Sequence, residues 1–214
     1  MTDAYENMDR MYRFQRFFYD ATRKYYLLGR DQLLREINPK PGEHILEIGC
    51  GTGRNLIILA KRHPKTHFYG LDASAVMLET ARNNINSAGL SNIILKTVLA
   101  DDFLFDTTFK LGKRFDKIFF SYSISMIPPW RESIENALEN LKPGGDLFLV
   151  DFYDQKDLPK GFQRLLKWWL TKFHVKLWEG LIPYLRSLEE TGRGKLTIIP
   201  LFRRYSFIAK FEKK

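Results

Sequence analysis

Glu47, Gly49, Gly51 and Gly53 stand at alternate positions of one stretch, His44-Ile45-Leu46-Glu47-Ile48-Gly49-Cys50-Gly51-Thr52-Gly53-Arg54-Asn55, and Asp72 and Asp101 close two apolar runs further on. Glycines at this spacing let the backbone turn tightly and let a ligand come closer than a side chain would allow. A carboxylate at the end of an apolar run is costly to bury without a partner, and a ligand amine or a helix N-terminus would be one. The pattern E-x-G-x-G-x-G differs from G-x-G-x-x-G, in which a pyrophosphate rests on the helix N-terminus. Acids before and after the glycines suit a ligand that offers hydroxyls and amines.

Such residues need a scaffold that brings them to one edge. Ile45, Leu46 and Ile48 supply the apolar run of a central parallel strand, and a helix over 54–62 opens directly after Gly53. A second strand, 67–72, ends in Asp72 about 20 residues beyond the glycines, where an acid accepts both hydroxyls of a ribose. Ala73 and Met77 follow at the start of a helix over 75–87. A third strand, 93–99, ends in Ala100-Asp101-Asp102-Phe103, and a fourth, 113–120, leads into Ser121-Tyr122-Ser123-Ile124-Ser125-Met126-Ile127-Pro128-Pro129-Trp130. A helix over 132–141, a tight turn at 142–145 and a strand over 147–150 continue the alternation. Strands and helices alternating through short connections predict an α/β fold with a right-handed, doubly wound, mostly parallel sheet. Ligands of such sheets lie at the carboxyl ends of the strands, where Gly49, Asp72, Asp101, Ser121 and Asp151 all fall.

The acid-glycine loop, Asp72 and Asp101 together resemble class I S-adenosylmethionine-dependent methyltransferases. The resemblance implies a seven-stranded, Rossmann-like sheet whose last strand is antiparallel, with S-adenosyl-L-methionine as cofactor and S-adenosyl-L-homocysteine as product. It places Glu47, Gly49, Cys50, Gly51, Gly53, Asn55, Asp72, Ala73, Met77, Phe103 and Ser121 around that cofactor. Asp101 would accept the adenine amino group, and Asp102 would offer its backbone amide.

With 214 residues, of which 44% are hydrophobic, the chain is long enough for one domain with a full core. Its one cysteine, Cys50, excludes an intrachain disulfide and fits a reducing compartment. His44, His63, His67 and His174 have no metal-ligand spacing, so no metal is expected. No signal peptide and no apolar run long enough to span a bilayer are read, which points to a cytoplasmic protein, free or surface-bound. The net charge of +9 is uneven: residues 155–214 hold fourteen Lys and Arg against five Asp and Glu, while the rest of the chain is balanced. That segment fits nucleic acid, an anionic membrane or an acidic substrate, and composition does not choose among them.

Residues 8–30 read as a helix with two stripes. Tyr12, Arg16, Tyr19, Arg23, Tyr26 and Arg30 recur at alternating spacings of four and three, beside an apolar stripe of Met11, Phe14, Phe18, Ala21, Tyr25 and Leu28. The plain reading is an amphipathic helix with solvated arginines. The functional one gives Arg30 the methionine carboxylate of the cofactor, with Tyr25 beside it, and gives tyrosine faces an ammonium group to hold.

The segments 8–16, 19–30 and 120–130 further resemble the diacylglycerylhomoserine N-methyltransferases of betaine-lipid synthesis, and the similarity runs from about Met8 to Phe211. It implies successive methylation of diacylglycerylhomoserine to its N,N,N-trimethyl form. Methyl transfer from a sulfonium needs in-line positioning, a neutral amine and exclusion of water, and no nucleophile on the protein. A pocket that ends with a quaternary cation is best lined by aromatic faces, so Tyr19, Tyr26 and above all Tyr122 are the candidate catalytic residues. Tyr122 is otherwise a packing residue beside Phe119 and Phe120.

From Leu158 to Tyr184, Phe162, Leu165, Leu166, Trp169, Leu170 and Phe173 recur at helical spacing, with Lys160, Arg164, Lys167 and Thr171 opposite and Trp168, Trp169 and Trp178 among the lysines. A basic, Trp-rich amphipathic helix reads either as a core-facing helix with a solvated face or as an interfacial anchor for an anionic membrane. Asp151, Tyr153 and Asp154 either touch a substrate or cap the following segment. One domain is expected, in four parts: a helical cap over 1–40, a cofactor core over 41–154, the basic segment over 155–192 and closing strands over 193–214. Three functions stay apart: the lipid N-methyltransferase, with a lipid and a membrane as partners and no nucleic acid; a methyltransferase of phosphatidylethanolamine, a soluble amine or a quinone precursor; and a non-catalytic lipid- or nucleic-acid-binding module.

Overall fold

The computed structural model describes residues 26–172 and 175–214. Its elements in chain order are α1 (Arg30–Ile37), β1 (His44–Ile48), α2 (Arg54–Arg62), β2 (His67–Asp72), α3 (Ala75–Ser87), β3 (Ile93–Thr97) and β4 (Phe115–Ser121). A short 3-10 turn, Ile124–Met126, precedes α4 (Trp130–Asn140), β5 (Leu141–Phe152), α5 (Lys160–Lys172), α6 (Leu181–Glu190), β6 (Gly194–Leu201) and β7 (Ser206–Lys213).

The seven strands form one sheet in the order β3-β2-β1-β4-β5-β7-β6. Its first five strands pair in parallel, and β7 runs antiparallel between β5 and β6, as the resemblance implied. Alternation along each strand divides the core into two layers. Leu46, Ile48, Ile118, Phe120, Leu147 and Leu149 face α4 and α6. Ile45, Phe119, Phe148 and Val150 face α1, α2, α3 and α5. The parallel strands are buried on both faces, which is why they carry continuous apolar runs.

Four expectations of element extent are corrected. The helical path toward Ile37 is broken at Gly29, whose φ of 93° makes it the cap of a new helix starting at Arg30. A Cβ there would lie 2.7 Å from Leu201 Cδ1, so only glycine lets the chain cross the sheet edge so closely. The turn at 142–145 is a bulge within β5: Leu141 pairs with Phe115 and Asp146 with Lys117, and the residues between loop out around Gly144, φ 69°. The strand expected over 93–99 stops at Thr97. The single amphipathic stretch from 158 to 184 is two helices, because residues 175–180 leave the helix.

Candidate functional site

Three connections meet at the carboxyl ends of β1, β2 and β4. The first is the glycine turn after β1, in which Gly49, Gly51 and Gly53 take φ of 73°, 53° and 78°. A Cβ on Gly49 would lie 2.5 Å from Ser123 Cβ, so this glycine lets the β1 turn and the β4 turn touch. Ser123 fixes that contact by donating from Oγ to the Ile48 carbonyl at 2.7 Å.

Two buried carboxylates shape the turn. Glu47 lies in the middle of the sheet, and its Oε1 accepts from Asn55 Nδ2 at 2.7 Å, so the partner the sequence demanded is a side chain on the first turn of α2. Asp72 accepts from the Gly51 amide at 2.8 Å and from the Ser74 amide at 2.9 Å. Burial pushes the Cys50 thiol up, with the charges of Asp72 and Glu47 acting in the same direction, so it stays protonated and is a packing group.

Around this turn lies a cleft with two lobes that meet at Gly49. One lobe, of about 530 Å³, is lined by Gly51, Asp72, Ala73, Met77, Asp101 and Tyr122. The other, of about 520 Å³, is lined by Arg30, Glu47, Cys50, Asn55 and Ser121. Sequence reasoning missed much of the apolar wall of the first lobe, Val98, Leu99 and Ala100. Ile127, Pro128 and Pro129 on its other side lie in a segment whose distinctive residues were already visible.

Some expected contacts are elsewhere. Gly53 lines neither lobe; it caps α2 and packs on Ala81. Phe103 is buried against Phe109 in the core and does not face the cleft. The Asp102 amide, expected to face adenine, donates to the Leu99 carbonyl at 3.2 Å and closes a turn instead. Tyr26 packs edge-on against Trp169, with ring centroids 4.3 Å apart, and lines neither lobe. Tyr19 and Tyr25 lie outside the described residues, as do Tyr12, Arg16, Arg23 and Phe173.

Tyr122 is 3% exposed and packs edge-on against Phe152, with ring centroids 4.8 Å apart. Its φ of 55° is unusual for a bulky residue, and the residue is part of the wall of the first lobe. The hydroxyl turns away and donates to the Leu28 carbonyl, which also accepts from Ser206 Oγ at 3.1 Å. Burial pushes this phenol well above its ordinary range. Tyr122 thus straps the segment that delivers Arg30 into the second lobe.

The basic segment divides along α5. Leu166 and Leu170 enter the core, whereas Phe162, Leu165 and Trp168 are 46%, 59% and 58% exposed. Trp178 is half-buried: it packs on Trp130, its Nε1 donates to the Ile124 carbonyl at 2.9 Å, and Lys176 Nζ lies 5.4 Å from its ring centroid. Among the described residues no helix is long and apolar enough to cross a membrane, and no three His, Cys, Asp or Glu side chains come together as a metal site.

The sequence model of a family described as "Methyltransferase domain" matches residues 39–196. An uncharacterized methyltransferase of Emericella nidulans is 39% identical over 79 residues, covering 35% of this chain and 28% of that protein. A demethylmenaquinone methyltransferase of Clavibacter sepedonicus is 30% identical over 139 residues, 63% of this chain and 53% of that protein. The chain therefore spans about half the length of the demethylmenaquinone methyltransferases it matches. Among solved structures, the plantazolicin methyltransferase BamL, in complex with a triazolic desmethylPZN analog and SAH, superposes with a TM-score of 0.70 at 15% identity, covering 99% of this chain and 97% of that one.

Proposed function

The chain belongs to the methyltransferase-domain family, and from that premise we propose that it transfers methyl groups from S-adenosylmethionine to the amine of diacylglycerylhomoserine, forming the N,N,N-trimethyl betaine lipid. The cleft fits the cofactor. On this reading Asp72 accepts the two ribose hydroxyls, Met77 and the Ala100–Asp101 turn flank an apolar adenine slot, and Gly49 lets the β1 turn close on Ser123 where the two lobes meet. Arg30 and Glu47 give the second lobe the charges that the carboxylate and ammonium of a methionine moiety require.

When bound, the cofactor would supply a methyl already activated on sulfur for transfer to the amine nitrogen. The chain's own residues orient and enclose. Tyr122, Ile127, Pro128 and Pro129 exclude water from the first lobe, so the amine meets the methyl in a dry site. The Tyr122 strap on Leu28 holds the Arg30 segment across the second lobe. Each transfer releases one proton from nitrogen to solvent.

The observation that carries a lipid substrate is the exposed row of Phe162, Leu165 and Trp168 on a helix that also bears Lys160 and Arg164. Phe202 and Arg203, at the β6–β7 hairpin tip, add an exposed aromatic and a cation at the same end of the sheet as Phe152. Aromatic side chains among cations suit the interface of an anionic membrane. A cytoplasmic enzyme held peripherally at that surface follows from this reading.

The relatives named as demethylmenaquinone methyltransferases favour a quinone precursor as the second reading. Mass spectrometry of lipids formed from purified protein, S-adenosylmethionine and diacylglycerylhomoserine in vesicles decides between them. Gains of one, two and three methyl groups support the betaine lipid. Methylation of a demethylated quinone alone transfers the activity to the second reading.

A further inference from the structure

The helix that carries the exposed aromatics also touches the chain that feeds the cofactor cleft. On α5, Leu165 and Trp169 stand one turn apart, so a residue of the exposed row neighbours one that turns inward. Trp169 is half-buried and meets Tyr26 edge-on, with ring centroids 4.3 Å apart. The short segment from Tyr26 to Arg30 is held along its backbone: the Tyr26 carbonyl accepts from Tyr205 Oη at 2.8 Å, and the Leu28 carbonyl accepts from Tyr122 Oη and from Ser206 Oγ at 3.1 Å. Gly29 leaves it no slack, since a Cβ there would lie 2.7 Å from Leu201 Cδ1 and 3.4 Å from Val150 Cγ2. Leu27, Leu166, Leu170, Leu201 and Tyr205 share one apolar cluster. A shift of α5 is therefore felt at Arg30, which lines the second lobe of the cleft.

α5 is lightly held in water. Among its described side chains only Leu166 and Leu170 are buried, and a helix of 13 residues is marginal without such packing. Its lead-in from β5 carries a cost as well. Gln155 holds φ at 60°, donates its amide to the Arg204 carbonyl at 2.9 Å and accepts from the Leu158 amide at 3.0 Å, yet neither atom of its buried side-chain amide is hydrogen-bonded. Seating the helix keeps that amide unpaired out of water, a cost that lifting the segment would remove. Modest packing set against that cost places two arrangements of α5 close in free energy, the condition under which a bound surface selects one of them. Phe162, Leu165 and Trp168 stand exposed beside Lys160 and Arg164, with Phe202 and Arg203 exposed at the hairpin tip, so the surface that fits is apolar within and anionic at its boundary.

We propose that seating α5 on an anionic membrane raises the affinity of the cleft for its cofactor, through Trp169, Tyr26 and the segment that ends at Arg30. The coupling rests on the lipid reading above and gives that enzyme a switch: cofactor is taken up where the lipid substrate lies. Because such coupling is reciprocal, bound cofactor tightens the hold on the membrane by the same factor.

S-adenosylhomocysteine binding to the full chain, measured with and without vesicles of phosphatidylglycerol and phosphatidylcholine, tests this. Affinity should rise about fivefold or more with these vesicles, and vesicle affinity should rise equally with saturating S-adenosylhomocysteine. Pure phosphatidylcholine should give little gain. The variant with Phe162, Leu165 and Trp168 all changed to Ser should match wild type without vesicles and gain nothing from them. Tyr26→Leu, which leaves the exposed face intact and removes the ring contact with Trp169, should still bind vesicles and lose the gain. Wild type that binds vesicles with no change in cofactor affinity, or an equal gain in Tyr26→Leu, overturns the coupling and leaves the lipid reading standing. Wild type that binds no vesicles overturns the membrane reading and the coupling together. A gain that follows protein concentration without vesicles assigns the apolar face to a second copy of the chain and overturns the proposal.

Discussion

Asp72 Oδ2 accepts a hydrogen bond from the backbone amide of Gly51 at 2.8 Å, which makes the acid at the end of β2 and the glycine turn after β1 one mechanical unit. Its other oxygen holds the Ser74 amide at 2.9 Å and so sets the start of α3. Asp72→Ala should therefore act twice. Cofactor affinity, read by calorimetry, should fall at least tenfold, and stability should fall by about 1–3 kcal/mol because two buried amides lose their acceptor. Normal cofactor affinity in a folded Asp72→Ala protein would remove the ribose assignment.

Gly49→Ala isolates the contact between the two turns. Its Cβ would lie 2.5 Å from Ser123 Cβ, whereas Gly42, with φ of 78°, has nothing within 4 Å of an added Cβ. Gly42→Ala should show only the left-handed backbone penalty of about 1–2 kcal/mol in denaturant unfolding. Gly49→Ala should lose more stability than that, and should lose cofactor binding where Gly42→Ala keeps it.

Tyr122→Phe removes the hydroxyl from Leu28 and leaves the ring. A loss of about 1 kcal/mol in stability is expected, with a severalfold rise in cofactor Kd as the Arg30 segment loosens. A fall in kcat at unchanged Kd would show instead that the phenol acts on the reacting groups.

The glycine turn, the succession of strands and helices and the acid that closes β2 were legible because each depends on neighbours in sequence: alternation along the chain, glycines at fixed offsets and an acid where a strand ends. The direction of the Tyr122 hydroxyl was not, since its acceptor lies 94 residues earlier. Phe103 reads as a site residue only through its proximity to Asp101; its burial comes from Phe109, across a loop with no periodic signal. In α5 the hydrophobic spacing correctly announced a helix, yet spacing does not say which apolar residues meet the sheet. The surface presented by Phe152, Leu201 and Tyr205 takes Leu166 and Leu170, and leaves Phe162 and Leu165 outside. A cavity outside the cleft draws its wall from segments on β5, the 3-10 turn and α6, a convergence that only the fold creates.

Exposed apolar residues on α5 lead to a binding prediction. Co-sedimentation with vesicles containing anionic lipid should fall at least tenfold when Phe162, Leu165 and Trp168 are all changed to Ser, with cofactor affinity unchanged because none of the three lines the cleft. Raising salt should weaken the wild-type interaction, since Lys160, Arg164 and Arg203 contribute through screened attraction. Equal sedimentation of variant and wild type would remove the membrane role from this helix.

Asp151 sets a pH signature of its own. Burial pushes its carboxyl from the ordinary 3.8 up to about 7, opposed by the amides of Phe152 and Ser125. The folded chain therefore holds a proton on Asp151 across a window in which the unfolded chain has lost it. Folding is favoured by that difference below pH 4, and the advantage drains away as pH rises toward 7, by about 4 kcal/mol at about 1.4 kcal/mol per unit. His44 and His63 work in the opposite sense, because burial lowers their folded pKa and makes folding more favourable as pH rises through the ordinary histidine range. The quantity to measure is thus the difference between proteins. In denaturant unfolding from pH 4.5 to 8, wild type minus Asp151→Asn should decline steadily with pH and level off above about 7. A difference that stays flat across the window would mean that Asp151 is ionised throughout, already paired with a cation in the folded chain.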